Sequence, residues 1–548
     1  MPEELAYARK ASGLVRGLSF WDVLGIGLAF LTPIYAIWYV IGFSLSVFPR
    51  AQLLIAIGIS VLTVVWASPI VWGILGGTMP RSGGEYVYNS RIITPAVALG
   101  ASFAAIVAQF YWNLFNASLL GVPSLCTLGQ SLGWKGLTNF ATGKAGLTAI
   151  SMIGFLIAFL VVAFGMKLLH HLSLYVVGVI IGGVVILNLV LTFASKAAFI
   201  RNWNAQAVKY HSVSYQAFTG AVGKAAGAPM PHTWNWGDTF GATAGVFMLV
   251  IWAFGIAYVG GEVKRPDKTV MMAQWAAVLT PVILCAWAVL ALGHLVDFSF
   301  LRAAAYQDYR VMFGGLAPGT STAGYNLPYS TSFMSLVYIA SRANPVIAIV
   351  TAITFLVNVI WLLTVALIMC QRAMFAWGMD RMGPRWFTSI NHRFASPIGM
   401  YALVAGISAF MSIAYWYLFP SIVSGLVATG IQLVSVFAVT AISAILLPYR
   451  KKVAHIWETS PYRRWTLFGV PVLTYAGVVY LAYILALIYF AFFDTRTRAL
   501  GFGFTGKAVI LMVCAWAAGI AWYYIWKHQS TKAGIDVAHL TYGELPPE

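Results

Sequence analysis

Residues 20–33 read Phe20-Trp21-Asp22-Val23-Leu24-Gly25-Ile26-Gly27-Leu28-Ala29-Phe30-Leu31-Thr32-Pro33. After Asp22 no charge appears, and no polar face recurs at helical spacing. A helix that is apolar all round is buried in protein or in lipid. The charge-free interval runs on from residue 23 to residue 49, beyond the roughly 20 residues that span a bilayer core. Inside it stand Gly25, Gly27 and Pro33. Glycine lowers the cost of leaving helical geometry, and proline removes a backbone donor. Two readings follow. In one, the helix breaks and frees backbone amides and carbonyls at mid-membrane depth, where a bound solute satisfies them. In the other, the helix is kinked but continuous, and the glycines admit close helix packing.

The same pattern recurs along the chain. Charge-free intervals occupy residues 51–79, 92–134, 145–166, 172–195, 239–261, 269–292, 343–371, 465–493 and 508–526. The interval 92–134 is long enough for one tilted helix and an apolar outer loop. The interval 394–449 accommodates two helices, divided at Phe419-Pro420-Ser421. About twelve spans result, so the expected fold is all-α and polytopic. Composition agrees. The 548 residues are 60% hydrophobic and only 9% charged, with a mean hydropathy of +0.82. A soluble domain carries about 25% charged residues. The 21 Trp and 27 Tyr suit the headgroup belts.

The net charge of +18 does not indicate nucleic acid, because the basic residues fall in short clusters between apolar runs. With the N-terminus inside, twenty of the 33 Lys and Arg lie on that side, as the positive-inside rule requires. Both termini are then cytoplasmic, in a multi-pass protein of the cell membrane. No cleavable leader is expected, and the first span serves as an anchor. The chain divides into a cytoplasmic segment 1–19, spans one to five at 20–195 and an outer loop at 196–238. Spans six to ten follow at 239–449, with an outer loop at 294–342, then the last two spans at 450–527 and a cytoplasmic tail at 528–548. The tail is expected to be polar and disordered from Ser530 onward.

The sixth span offers a second weak point, Trp252-Ala253-Phe254-Gly255-Ile256-Ala257-Tyr258. An unwound stretch here would present carbonyls beneath aromatic rings, although each ring taken singly is more simply a packing group. Glycine-interrupted helices at matching positions of two halves point to an inverted-repeat transporter. Exposed amides at a half-helix start suit a carboxylate, and carbonyls at a half-helix end suit an ammonium. Other polar residues within spans, among them Gln109, Asn113, Asn116, Asn188, Thr351, Thr354, Asn358 and Gln432, read as interhelical glue. No charged residue sits at the centre of a span, and neither a phosphate-binding loop nor an HExxH zinc motif is present. Cys126, Cys285, Cys370 and Cys514 show no metal spacing. No cofactor is expected. One weak echo remains: Ser82-Gly83-Gly84-Glu85-Tyr86 and Gly260-Gly261-Glu262.

Three segments resemble the amino acid–polyamine–organocation permease superfamily. Met79-Pro80-Arg81-Ser82-Gly83-Gly84-Glu85-Tyr86 is similar to the family's P-x-S-G-G-x-Y stretch after helix two. Gly261-Glu262-Val263-Lys264-Arg265-Pro266-Asp267-Lys268 resembles the family's G-E-x-K-N-P-x-K, with Arg265 where Asn is usual. The segment from Gln371-Arg372 to Asp380-Arg381-Met382-Gly383-Pro384 resembles the loop after helix eight. The resemblance implies two inverted five-helix repeats of the LeuT type plus two further helices. It implies transport of amino acids or related amines, coupled to H⁺ or Na⁺ or run as exchange. By the same analogy Gly25, Ile26, Gly27 and Leu28 line the substrate site from helix one. Trp252, Ala253, Phe254 and Gly255 line it from helix six, with Trp252 or Phe254 as lid. The glycines of helix one sit one residue earlier than in the family pattern. The lysine that some proton-coupled members carry in helix five is absent near residues 178–180. The competing readings are a transporter of the same fold for a nucleobase or polyamine, and a membrane-embedded enzyme or complex subunit. The sequence leaves the substrate, the coupling ion and the oligomeric state open.

Overall fold

The computed structural model describes residues 16–313, 324–391, 393–394, 396–418, 423–494, 496, 506–534, 542 and 545. Among them, eleven helical stretches are long and apolar enough to cross a membrane. Spans one to five are Phe20–Val47, Leu53–Thr78, Pro95–Leu132, Lys144–Ala163 and Lys167–Phe193. Spans six to nine are Trp236–Tyr258, Pro266–Leu295, Pro345–Met379 and Ile398–Leu418. Spans eleven and twelve are Val472–Phe493 and Val509–Lys532. The tenth is Gly430–Leu446, which passes the same test together with Lys451–Glu458 across an 80° bend. The all-α polytopic fold expected from the apolar runs is the fold observed.

The most apolar part of span one is wholly buried and that of span six is 94% buried, against 17% for span twelve. Spans one and six therefore run through the middle of the bundle. Leu62, Leu156, Leu174, Phe193, Ile283 and Leu290 are exposed on outer helices, as lipid-facing side chains must be in a protein whose solvent is hydrocarbon. Polar residues inside spans cross-link helices. Asn113 donates to Ser408 at 3.1 Å, Asn188 to the Leu284 carbonyl at 3.0 Å, and Gln432 to the Ala104 carbonyl at 2.7 Å. Thr351 and Thr354 instead bond carbonyls of their own helix. Asn358 is buried with neither amide atom in hydrogen-bonding geometry.

Several boundaries differ from the sequence reading. Span three stays helical to Leu132, through a π-helical stretch Leu120–Cys126 that absorbs Pro123, so the expected loop after it is short. Span eight continues to Met379. The interval 465–493 opens with a two-residue hairpin, Thr466–Leu467 paired with Val470–Pro471, before its helix begins at Val472. The proposed division at Phe419-Pro420-Ser421 lies outside the described residues. The last helix continues through Ser530 to Lys532. Beyond it, Tyr542 is buried against the bundle, its hydroxyl 3.1 Å from that of Tyr86 and its ring 5.1 Å from the Arg91 guanidinium. At that point the tail is docked, not free.

The two long connections form one cap. Helices Lys196–Lys209, Tyr215–Ala226, Phe298–Phe313 and Phe333–Ala340 build it. Phe300 stacks on Tyr215 at 4.4 Å and meets Trp203 at 5.0 Å. The face carrying this cap is termed the far face. The opposite one, where the chain enters span one, is the near face.

Candidate functional site

Span one is broken at Thr32. Its first helix, Phe20–Leu31, ends there, and Pro33 starts the next. A residue before proline is pushed out of helical geometry. Thr32 takes φ 39° and ψ 70°, the left-handed region that a β-branched side chain seldom occupies. The Thr32 amide still reaches the Leu28 carbonyl at 2.9 Å. The Ala29 carbonyl loses its regular donor because Pro33 has none. Beyond the break, no side chain of Thr32 caps the new helix, so its first amides are open.

Gly25, Ile26, Gly27 and Leu28 lie in regular, buried helix. The break is therefore at Thr32-Pro33, not at Gly25–Gly27 as the first of the two readings places it. The glycines serve close approach. A methyl on Gly27 would lie 2.7 Å from the Ala277 Cβ and 2.8 Å from the Ile256 Cδ1, and one on Gly25 would meet Val177 at 3.3 Å.

Span six leaves α-helical geometry where its sequence suggested an unwound stretch, but it tightens into 3-10 helix and stays one continuous span. Trp236–Val246 is α-helical, and Ile251–Tyr258 is a 3-10 segment holding Trp252, Ala253, Phe254 and Gly255. Gln274 of span seven donates to the Ala253 carbonyl at 3.1 Å. Gly255 admits the Phe30 ring, whose Cδ2 would be 2.2 Å from any Cβ there. Around this crossing the rings converge. Phe30 lies parallel to Trp252 at 6.4 Å and 6.2 Å from Phe254. Trp112 meets Trp252 edge-on at 5.1 Å. Phe254 contacts Phe437 at 4.9 Å and Trp72 at 5.7 Å. The structure thus brings Trp252, Phe254 and Gly255 to Phe30 of span one and Ile256 to Gly27, while Gly25 packs against Val177 of span five. It adds Phe30, Trp112 and Gln274, which no local pattern marks.

The near face is closed by the three motif segments. The Gly17 and Leu18 amides both donate to the Glu262 carbonyl at 3.0 Å. Arg372 grips the Glu262 carboxylate at 2.7 and 3.0 Å. Arg91 holds Asp380 at 2.5 and 2.7 Å. The first echoing glycine segment meets the end of span six just before the second: Ser82 bridges Val259, and the Gly83 amide donates to the Tyr258 carbonyl at 3.3 Å. His170 contacts Asp22 at 2.7 Å, so it anchors the start of span one. At the far face, Trp38 donates to Asp308 at 2.6 Å. A cavity of ≈ 20 Å³ beside this contact, lined by Gln130 and Ser330 among others, has room for about one water. Among the described residues no cluster of His, Cys, Asp or Glu is arranged to hold a metal ion.

A polytopic bundle whose two buried central spans cross at irregular segments, a left-handed step at Thr32 and a 3-10 stretch at Ile251–Tyr258, has the build of a membrane transporter. The amino acid permease family model matches residues 18–516, and no curated protein sequence matches significantly. The chain belongs to the amino acid permease family, whose members transport amino acids or related solutes and are not enzymes.

Proposed function

We propose that the protein is a secondary transporter of amino acids or related amines. It works by alternating access around a site between Ala29–Pro33 of span one and Trp252–Gly255 of span six. The observation that carries this reading is the pair of irregular segments, the left-handed step at Thr32 in span one and the 3-10 stretch Ile251–Tyr258 in span six. These irregular segments lie in the leading spans of two five-span units, 1–5 and 6–10, the placing expected of an inverted repeat. A carboxylate suits the open amides after Thr32, and an ammonium suits the carbonyls that Pro33 deprives of a donor. Gly25, Ile26, Gly27 and Leu28 support this site by packing, and Trp252 or Phe254 covers it. The near face is cytoplasmic in this reading, because the basic residues gather there, and the membrane is the cell membrane. Transport is coupled to H⁺ or Na⁺, or runs as exchange.

Uptake by proteoliposomes of the purified chain tests it, with labelled amino acids under imposed proton and sodium gradients. Saturable uptake or exchange is expected. Absence of uptake, exchange and ligand stabilisation for every amino acid would overturn it.

A further inference from the structure

Glu85 sits between spans two and three, on the helix Glu85–Ile92 that follows Gly83-Gly84. Its side chain is fully buried. Neither carboxylate oxygen is in hydrogen-bonding geometry with a donor. The dipole that acts on it is the Tyr258 hydroxyl, at the end of the 3-10 segment of span six. The two are held together by backbone. A methyl on Gly84 would lie 2.9 Å from the Tyr258 ring, so only glycine allows this approach. Gly84 also takes φ +57°, which further favours glycine.

The surrounding charges are committed elsewhere. From span eight, Arg372 is bound to Glu262, and Cys370 is a buried thiol. On its own helix, Arg91 is bound to Asp380, and Tyr88 is uncharged. Arg81 donates to the Pro80 carbonyl. Lys451 and Lys452, after span ten, are exposed. Spans three and ten present no charged group to this helix within their described lengths. An uncompensated carboxylate in such surroundings neutralises itself by taking up a proton.

We propose that Glu85 is a proton-binding site linked to opening of the near face: the closed near face holds one proton there, and the open one, admitting water, releases it. The inference rests on the transporter reading for its consequence but not for its chemistry. Burial pushes the Glu85 carboxyl from 4.5 up to about 7, with Tyr258 drawing it partly back. The closed form thus has the raised value. Its advantage is complete below about pH 4.5 and is lost as pH rises through about 7. Opening is favoured on the alkaline side, and the shift permits up to about a three-hundredfold change in the open-to-closed ratio.

Two measurements on the full chain in lipid decide it. The first needs no substrate: infrared spectra are recorded between about pH 5 and about pH 9. A protonated-carboxyl band that disappears with a midpoint near 7 in the native protein, and is missing in Glu85→Gln, is expected. The second is exchange of a labelled amino acid mixture with equal pH on both sides. The native rate rises with pH about the same midpoint, whereas Glu85→Gln stays at the low-pH rate throughout. Tyr258→Phe retains the carboxyl and loses the dipole that favours its charged form, so its midpoint moves upward; it serves also if Glu85→Gln fails to fold. A Glu85→Gln protein that keeps the native pH profile, or an unchanged infrared band, overturns the proposal. Absence of exchange in the native protein counts against the transporter reading, while the infrared result still judges Glu85.

Discussion

The Trp38 indole N–H donates to the Asp308 carboxylate at 2.6 Å, joining the second half of span one to the far-face cap across 270 positions of sequence. Both side chains are buried. A hydrogen bond to a charged group is worth about 1.5–3 kcal/mol. Trp38→Phe keeps most of the ring and removes the donor. It is expected to loosen the cap, and limited proteolysis within helix Phe298–Phe313 should be about tenfold faster. Equal cleavage rates in the two proteins would show that the contact does not hold the cap.

Asp308 also sets a pH dependence. Burial raises its carboxyl from 3.8 to about 6, opposed by the Trp38 N–H and the Ser330 hydroxyl. With the folded value raised, the stabilisation is complete below about 3.8 and is lost as pH rises through about 6. Its size is of the order of 2–3 kcal/mol. Thermal unfolding in detergent should show native protein gaining stability on acidification through this window. Asp308→Asn should be flat there. Identical profiles would count against a protonated Asp308.

The Arg372–Glu262 pair ties the near-face end of span eight to the 3-10 turn that follows span six, with both side chains 1% exposed. Removing one partner leaves the other charged and buried, at about 3–5 kcal/mol. Glu262→Gln alone should therefore unfold much more readily. Combining it with Arg372→Met should recover a large part of the loss. A single variant as stable as the native protein would show that water reaches this pair.

The crossing of spans one and six predicts a compensation. Gly255→Ala places a methyl against the Phe30 ring, and overpacking of this kind costs about 1–3 kcal/mol. Phe30→Leu alongside it should return much of the stability, because the shorter side chain vacates that space. Gly27→Ala has no such partner. The Cβ of Ala277 cannot move away as a flexible chain end can. If Phe30→Leu makes Gly255→Ala worse, the two residues are not in contact.

The apolar runs were legible because lipid imposes a length and forbids charge, and both are written locally. An irregularity around Gly255 was legible from the mid-span glycine, though as an unwound stretch and not as the 3-10 helix observed. Gly25 and Gly27 misled because close packing and unwinding ask for the same residue. Only the neighbours decide, and Val177 and Ala277 are far away in sequence. The Thr32-Pro33 step did carry the local steric signal. Trp112, Gln274 and Tyr542 reach their positions through packing alone, so no pattern within the sequence marks them. The glycine echo at Ser82–Tyr86 and Gly260–Glu262 was only weak in the sequence, yet the first segment lies against the residues just before the second, through the Ser82–Val259 bridge.

The break in span one gives the sharpest test. Pro33 withholds a donor from the Ala29 carbonyl and bars helical geometry at Thr32, which sits at φ 39°. Backbone held in that region costs about 1–3 kcal/mol. Pro33→Ala supplies the amide and removes the steric push, so the two helices of span one can join into one. The variant should be at least as stable as the native protein by thermal unfolding. A continuous helix has no open amides or carbonyls for a zwitterion, so amino acid exchange should fall by at least about tenfold, a loss of roughly 1.4 kcal/mol or more. Stability and activity then move in opposite directions, which simple damage to the fold does not produce. Native exchange rates in Pro33→Ala would remove the broken helix from the mechanism.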